Sequence, residues 1–144
     1  MFNLKSENLN LNNIDTAAEI EKSSLDVPWS KSELLKVIDN TSAVYYVFYY
    51  NNTPCGIGGY YKVIDEMQIN NIAVLKDYRG KGIGSIILNT LIQSGKDIKT
   101  VTLEVAENNT AAVALYRKHG FVRVGIRNNY YKNQNAILMT KTIN

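Results

Sequence analysis

The stretch Arg79-Gly80-Lys81-Gly82-Ile83-Gly84 joins two segments that differ in hydrophobic periodicity. Residues 67–74 form an apolar run typical of a strand, and residues 83–94 carry apolar side chains at helical spacing. A glycine-rich turn between a strand and a helix leaves the first backbone N–H groups of the helix without intrahelical partners. The helix dipole adds partial positive charge there, and Arg79 and Lys81 add full charges. The stretch therefore predicts a loop that binds a pyrophosphate.

Two familiar phosphate-binding patterns do not fit these residues. A Walker A loop ends in Gly-Lys-Ser or Gly-Lys-Thr, and no glycine in the chain is followed by either pair. A dinucleotide fingerprint needs a third glycine at the position where this chain has Ser85. The pattern that does fit is Arg-x-x-Gly-x-Gly, which runs from Arg79 to Gly84. It resembles the acyl-CoA pyrophosphate loop of the GNAT superfamily of N-acetyltransferases.

The bulk composition predicts a single domain over residues 1–144, which is long enough to bury a core without disulfides or metal. A hydrophobic content of 45% with 20% charged residues is the balance of a soluble globular protein. The net charge of +3 is too small to argue for direct nucleic-acid binding. The chain shows neither a signal-peptide pattern nor an apolar run of about 20 residues, so we expect a cytoplasmic protein that binds no membrane.

The chain has one cysteine and one histidine, too few for an internal disulfide or a zinc site of the Cys/His kind. We therefore expect no metal. Cys55 is predicted to be a small buried hydrophobe. His119 is predicted to stabilise the carboxyl end of its helix rather than to act in catalysis. For the assembly, we expect a monomer or a weak dimer.

The order of periodic segments predicts a mixed α/β fold. Helices are expected over residues 14–25, 34–38, 83–94 and 110–119, with a Ser30–Glu33 capping box before the second and a Gly120-Phe121 stop after the last. Strands are expected near Phe2 and Leu4 and over residues 43–50, 55–61, 67–74, 100–105, 121–127 and 136–142. The strand–helix–strand unit around the glycine-rich turn predicts that residues 67–74 and 100–105 are parallel neighbours.

The same order of elements resembles the GNAT superfamily along nearly the whole chain. Shorter stretches resemble one branch of it, the ribosomal-protein-alanine N-acetyltransferases of the RimI type. They are Pro28-Trp29-Ser30, Asp65-Glu66, Asn71-Ile72-Ala73-Val74, Leu103-Glu104-Val105, Asn109, Ala114-Leu115-Tyr116, Gly120-Phe121, Arg127, Tyr130-Tyr131 and Ala136-Ile137-Leu138-Met139. The resemblance implies the GNAT fold, a mixed and mostly antiparallel sheet of six to seven strands with a central splayed parallel pair and about four helices.

The resemblance also implies where acetyl-CoA, the cosubstrate, would bind. Its pantetheine arm would lie between the splayed strands, bonded to the backbone of Ile72 and Val74, and its pyrophosphate would rest on the glycine-rich loop. Glycines fit there because close backbone approach to phosphate leaves no room for a Cβ. A backbone N–H near Ala73 or Val74 would polarise the thioester carbonyl. The implied cofactor residues are Ile72, Ala73, Val74, Arg79, Gly80, Lys81, Gly82, Ile83, Gly84, Ser85, Asn109 and Tyr116.

Acetyl transfer to an amine needs a neutral nucleophile and a proton for the departing thiolate. An α-amino group has a pKa near about 8, against about 10.4 for lysine, so a chain terminus is the easier amine to deprotonate. By resemblance, Glu104 is the candidate general base and Tyr116 the candidate general acid. The alternatives are a glutamate paired at the surface and a tyrosine packed against the sheet. Trp29, Tyr130 and Tyr131 are candidate walls of the acceptor slot, with ordinary packing as the alternative for each.

The predicted function is transfer of the acetyl group of acetyl-CoA to the α-amino group of a protein N-terminus, with the N-terminal alanine of a small-subunit ribosomal protein as the favoured target. Three residues depart from the branch pattern, namely Gln68, Ala106 and Asn135. Gln68 and Asn135 stand where acidic groups could hold a cationic terminus, so they motivate a small-molecule amine or a lysine side chain as the alternative acceptor. A third alternative is a non-catalytic CoA-binding module, against which Glu104 and Tyr116 argue.

Overall fold

The computed structural model describes residues 3–131 and 134–143, and the side chains of these residues except 129–131. The predicted strand near Phe2 and Leu4 is found over Leu4–Asn8, and Phe2 lies outside the described residues. The elements in chain order are β1 Leu4–Asn8, α1 Ile14–Ser24, α2 Lys31–Ile38, β2 Ala43–Tyr50, β3 Thr53–Val63, β4 Glu66–Val74, α3 Ile83–Ser94, β5 Thr100–Ala106, α4 Thr110–Lys118, β6 Val122–Tyr131 and β7 Gln134–Thr142.

The strands form one sheet in the order β1-β2-β3-β4-β5-β7-β6. Only β4 and β5 pair in parallel, whereas the other five neighbouring pairs are antiparallel. This confirms the predicted mixed sheet with one parallel pair and four helices. Several strands are longer than predicted, most of all β3, which begins at Thr53 and ends at Val63, and β6, which continues to Tyr131. None of the described helices is both long and apolar enough to cross a membrane.

The parallel pair separates halfway along its length. β4 and β5 pair from Glu66 opposite Thr100 to Ile69 opposite Leu103, and the pairing stops there. β5 continues to Ala106 by pairing with β7, while β4 continues to Val74 by pairing with β3. The two central strands therefore diverge and leave a gap between their carboxyl-terminal halves.

A β-bulge lies where the strands diverge. Gly59 pairs with Asn71 and Tyr60 with Ile69, so Asn70 is the extra residue on β4. The bulge reverses which side of the sheet the following side chains face. Ile69 belongs to the core under α3, whereas Ala73 belongs to the core under α1 and α2 although both positions are odd-numbered. The bulge therefore lets one strand serve both cores.

The two cores lie on opposite faces of the sheet. α1 and α2 cover one face, with Ala17, Ile20 and Leu34 buried against the sheet. α3 and α4 cover the other face, where Ile87 and Leu91 are fully buried. Burying an aliphatic side chain of this size contributes about 1.5–3 kcal/mol, so these helices are held mainly by their apolar faces.

Two helix ends confirm their sequence signals. Ser30 Oγ accepts from the Glu33 N–H at 3.2 Å and Glu33 Oε1 accepts from the Ser30 N–H at 3.2 Å, which completes the capping box of α2. At the end of α4, Gly120 has φ +91°, and the Phe121 N–H donates to the Tyr116 carbonyl at 3.0 Å. This ending places the rings of Tyr116 and Phe121 in contact, with centroids 5.8 Å apart.

Candidate active site

The gap between the diverging strands is a cleft of about 440 Å³. Five parts of the chain line it, namely the end of α1 with the segment that follows it, the bulged half of β4, Arg79 before α3, the end of β5, and α4 with its cap. The lining residues are Ser24, Leu25, Asp26, Val27, Asn70, Asn71, Ile72, Ala73, Val74, Arg79, Glu104, Val105, Ala106, Asn109, Ala111, Ala112 and Tyr116. The cleft thus contains both residues predicted to be catalytic and the three predicted β4 residues.

Glu104 presents its two carboxylate oxygens to different surroundings. Oε1 lies 2.8 Å from Nη2 of Arg127, which extends from β6. Oε2 is buried and has no hydrogen-bond partner among the described residues. The side chain is 27% exposed, so the cleft still gives access to it. The surface-pairing alternative therefore holds for one oxygen only, and the other is available to accept a proton from a group that enters the cleft.

Tyr116 lies in the same cleft, on the last turns of α4. Tyr116 as a whole is 8% exposed, and its ring packs edge-on against the ring of Phe121. The packing alternative holds, because the ring is part of the core under α3 and α4. The residue also lines the cleft, and its role as a general acid stays a prediction. The Schellman ending of α4 fixes this position, since it holds Phe121 beside the tyrosine ring.

The glycine-rich loop lies at the start of α3. Gly80 and Gly82 have φ +79° and +81°, and a Cβ on either would meet no atom within 4 Å. Gly84 has an ordinary φ, and a Cβ there would lie 3.3 Å from Leu115 Cδ2 on α4. The expectation that these glycines make room for a phosphate stays a prediction. Two of them supply left-handed backbone, and the third lets two helices approach.

The loop presents the features predicted for an anion site. The first intrahelical bond of α3 runs from the Ile86 N–H to the Gly82 carbonyl at 3.3 Å, so the N–H groups of residues 83–85 precede it. Arg79 donates through Nε to the Val74 carbonyl at 2.9 Å, which ties the loop to the end of β4. In the described part of the chain, Arg79 lines the cleft, whereas residues 80–85 are not among the residues that line it.

Ser85 and Asn109 occupy helix starts near the cleft. Ser85 Oγ lies 3.0 Å from Nε2 of His119, so this histidine links α4 to α3. Partial burial, with Lys118 and Lys141 nearby, lowers the pKa of His119. Asn109 Oδ1 accepts from the Ala112 N–H at 3.1 Å and caps α4, as predicted. Asn109 also lines the cleft, consistent with its predicted position near the pantetheine arm.

Of the three candidates for the acceptor wall, Trp29 is the one whose side chain the structure describes. Trp29 is not among the residues that line the cleft in the described part of the chain. Its ring instead stacks on Tyr45 with centroids 6.4 Å apart and packs against Tyr61 at 6.0 Å. These are the contacts of a packing residue, because the rings hold the tryptophan against the sheet. Tyr130 and Tyr131 are on β6, and their side chains lie outside the described residues.

The three departures from the branch pattern differ in their relation to the cleft. Ala106 lines it. Gln68 lies on the half of β4 that still pairs with β5, its Nε2 donates to Glu66 Oε2 at 2.7 Å, and it is not among the cleft-lining residues of the described chain. Asn135 accepts the Glu107 N–H through its carbonyl at 2.9 Å, which braces the turn between β5 and α4.

The structure brings three further residues to the cleft region. Arg127, which the sequence offers only as part of the resemblance, pairs with Glu104. Asp26 lines the cleft and contributes a second carboxylate to it. Glu21 is fully buried beneath the cleft wall. Its signal was readable, because Glu21 falls on the apolar stripe of α1 that contains Ile14 and Ala17.

Comparisons with known proteins agree with this architecture. The family model described as the acetyltransferase (GNAT) family matches residues 14–121. The chain is 37% identical over 138 residues to the ribosomal protein bS18-alanine N-acetyltransferase of Haemophilus influenzae, covering 84% of this chain and 86% of that protein. It is 36% identical over 142 residues to a Bacillus subtilis protein whose name gives the same activity provisionally, covering 95% of this chain and 94% of the relative.

A solved structure extends the comparison to the fold. The crystal structure of the ribosomal-protein-S18-alanine N-acetyltransferase from Escherichia coli superposes with a TM-score of 0.90 at 29% sequence identity, covering 98% of this chain and 94% of that one. The family match covers three quarters of the chain, and the fold agrees over nearly all of it. This chain belongs to the acetyltransferase (GNAT) family.

Proposed function

We propose that this protein transfers the acetyl group of acetyl-CoA to the α-amino group of a protein N-terminus, and that its favoured acceptor is the N-terminal alanine of a small-subunit ribosomal protein. The observation that carries the proposal is the buried, unpartnered Oε2 of Glu104 in a cleft that Tyr116 also lines. The names of the Haemophilus influenzae and Escherichia coli relatives support the choice of acceptor.

The residues present fit an acyl-CoA cosubstrate. Beyond Ile69, β4 has an edge that no longer pairs with β5, and a pantetheine arm carries amide groups that suit such an edge. The start of α3 offers the N–H groups of residues 83–85 and the positive end of a helix dipole to a pyrophosphate. Asn109 retains its amide nitrogen for a further contact, because the helix cap uses only its oxygen.

The proposed chemistry follows from this placement. Bound acetyl-CoA supplies an electrophilic thioester carbon. Glu104 Oε2 accepts the proton that the amine loses as its nitrogen bonds to that carbon, directly or through one water. Tyr116 gives its phenolic proton to the sulfur as the carbon–sulfur bond breaks. The phenol then regains a proton from solvent, and the carboxylate releases one to solvent, so the residues return to their initial states.

The charge of the cleft fits a cationic acceptor. Asp26 and Glu104 contribute two carboxylates to its lining, and Arg79 contributes one cation. An ammonium group that enters the cleft is attracted by these carboxylates before it loses its proton. Gln68 is not among the lining residues of the described chain, so its departure from the branch pattern bears less on the acceptor than the sequence suggested.

The experiment that tests the proposal uses two peptides of the same sequence, each with one lysine, whose N-termini are free and blocked. Release of CoA thiol is followed with saturating acetyl-CoA, and mass spectrometry locates the acetyl group. Turnover only with the free terminus supports the proposal, and peptides beginning with alanine, serine and methionine then rank the acceptors. Equal turnover with both peptides would contradict it in favour of lysine acetylation. Turnover confined to a panel of small amines, abolished in Glu104→Gln, would contradict it in favour of a small-molecule acceptor.

We further propose that residues 1–144 act as one acetyltransferase domain in the cytoplasm, as a monomer or weak dimer without direct nucleic-acid or membrane binding. One sheet that includes strands from both ends of the chain supports the single domain. A ribosomal-protein substrate supports the location. Size-exclusion chromatography with light scattering tests the assembly, and a mass above that of a dimer would contradict it.

A further inference from the structure

Glu21 is a fully buried carboxylate on α1, and its hydrogen-bond partners come from three separate parts of the chain. Its Oε1 accepts from the backbone N–H of Trp29 at 2.9 Å. Its Oε2 accepts from the Tyr45 hydroxyl at 2.7 Å and from the Asn71 side-chain amide at 2.5 Å. Among the described residues, no cation forms an ion pair with Glu21.

Such an arrangement is costly for the fold. Removing a carboxylate from water disfavours its charged form, and burial raises the pKa of Glu21, although the three hydrogen bonds oppose this effect. An apolar side chain at this position would complete the stripe of α1 without that cost. The network is therefore better explained by what it holds in place than by stability alone.

One of the three partners lines the cleft, and a second adjoins a segment that lines it. Asn71 lines the cleft and follows the bulge at Asn70 on β4. Trp29 ends the segment after α1, in which residues 25–27 line the cleft. The third partner, Tyr45, is on β2 and is not among the lining residues of the described chain. One carboxylate therefore connects the acceptor-side segment to the strand proposed to hold the cosubstrate.

We propose that Glu21 is a positioning residue that fixes residues 25–29 against the bulged half of β4 and thereby sets the width of the acceptor end of the cleft. This proposal rests on the proposed function, because the proposed function defines which end of the cleft receives the acceptor. The carboxylate acts through Trp29 and Asn71 and touches neither substrate itself.

A carboxylate is required because only acceptor atoms can serve all three donors. Glutamine has nearly the same volume, but one of its two terminal atoms is a donor. Glu21→Gln therefore presents an N–H₂ group either to the Trp29 N–H, which cannot accept it, or to Tyr45 and Asn71, which must then turn their hydroxyl and amide around to accept it. We expect either arrangement to weaken the hold on one wall of the cleft while the apolar packing of α1 is preserved.

Tyr45→Phe is the matched control. It also removes one hydrogen bond to Glu21, yet it leaves the Trp29 and Asn71 contacts intact. It also keeps the ring that stacks on Trp29. A role in stability alone predicts similar effects of both substitutions on acceptor use, whereas a positioning role predicts an effect of Glu21→Gln alone.

Steady-state kinetics with the free-terminus peptide and acetyl-CoA measure the effect. We expect Glu21→Gln to raise the acceptor KM about tenfold, the effect of losing one hydrogen bond to a charged group, and to raise the acetyl-CoA KM less than about threefold. Tyr45→Phe should change the acceptor KM less than about twofold. An unchanged acceptor KM in Glu21→Gln, or equal increases in both variants, would overturn the proposal.

A second readout does not depend on turnover. Trp29 is the only tryptophan of the chain, so its fluorescence reports on the segment that Glu21 holds. We expect acrylamide to quench Trp29 more strongly in Glu21→Gln than in wild type or Tyr45→Phe, and equal quenching would overturn the proposal. If wild type turns over no peptide, the proposed function fails, and the quenching comparison still decides whether Glu21 holds the segment.

A further variant covers the case in which Glu21→Gln does not fold. Asn71→Leu removes the β4 contact alone and leaves the Trp29 and Tyr45 contacts with Glu21 in place. Asn71→Leu should raise the acceptor KM, as Glu21→Gln does. An acceptor KM equal to that of wild type would overturn the proposal.

Discussion

Arg127 Nη2 lies 2.8 Å from Oε1 of Glu104, while Oε2 of the same carboxylate is buried in the cleft and has no hydrogen-bond partner among the described residues. The arginine comes from β6, two strands away from β5 in the sheet order. An ion pair that holds one oxygen also fixes the direction of the other. The pair therefore orients the proposed base toward the cleft.

Glu104→Gln should abolish most of the activity without preventing cosubstrate binding. The amide cannot accept a proton at neutral pH, and general-base catalysis contributes roughly 10²–10⁴-fold to a rate. We expect kcat to fall by that factor and the Kd for acetyl-CoA, measured by calorimetry, to stay within about twofold. A variant that keeps wild-type kcat would exclude Glu104 as the base.

Arg127→Met should separate orientation from stability. The arginine side chain is 54% exposed, and ion pairs of this kind contribute less than about 1 kcal/mol to the free energy of unfolding. Misplacing the base is more serious, because small errors in position can cost up to about 100-fold in rate. We expect a lower kcat with little change in Tm. Arg127→Lys is the control, since it keeps the charge and should recover part of the rate; equal losses in both variants would argue against a role for the charge.

Tyr116→Phe should lower kcat by roughly 100-fold, because the thiolate then leaves without a general acid. The substitution keeps the ring against Phe121, so the free energy of unfolding should change by no more than about 1.5 kcal/mol, the range of one hydrogen bond. Thiol-release kinetics and urea denaturation measure the two quantities. A large loss of stability with a preserved rate would assign Tyr116 to packing alone.

Gly82→Ala should disturb the loop through its backbone. At φ +81°, an L-residue other than glycine costs roughly 1–2 kcal/mol, although a Cβ there would meet no neighbouring atom. We expect a lower Tm and weaker binding of acetyl-CoA. Gly82→Asn is the control, because asparagine tolerates left-handed backbone and should lose less of both. Equal losses for alanine and asparagine would contradict the conformational explanation.

The stability advantage of wild type over Glu21→Gln should shrink as the pH rises. Burial raises the pKa of Glu21 above its ordinary value of 4.5, hydrogen bonds from its neighbours oppose this, and the charge of Glu33 adds to it. A carboxyl whose pKa is higher in the folded state contributes stability that is fully present below the unfolded pKa. That contribution is lost as the pH rises through the folded pKa, and glutamine has no such dependence. Urea denaturation at several pH values from 4.5 upward tests this, and a constant difference would contradict it.

Features set by neighbouring residues could be predicted from the sequence. The capping box at Ser30, the Schellman ending at Gly120 and the cap at Asn109 each depend on residues within a few positions. The parallel pair followed from a strand–helix–strand pattern and the fixed hand of such units. These predictions are confirmed because local hydrogen bonds and hydrophobic periodicity decide them.

Features set by distant residues could not be predicted in the same way. No local signal on β4 shows that Asn70 is a bulge residue, because the register with β3 defines it. The sequence left Trp29 open between the acceptor wall and ordinary packing, and its packing contacts are with Tyr45 and Tyr61 on the strands β2 and β3. Arg127, the partner of Glu104, is likewise 23 positions away from it along the chain. Each of these contacts exists only once the sheet has formed.

The bulge at Asn70 decides which face of the sheet each later side chain of β4 meets. If Asn70 paired in regular alternation, Asn71 would exchange faces with its neighbour Ile72. An isoleucine would then point at the buried carboxylate of Glu21, and the amide would enter an apolar core. A change that straightened β4 at Asn70 would therefore disturb the buried network without replacing any of its members, whereas deletion of Asn70 would leave Asn71 and Ile72 on their present faces.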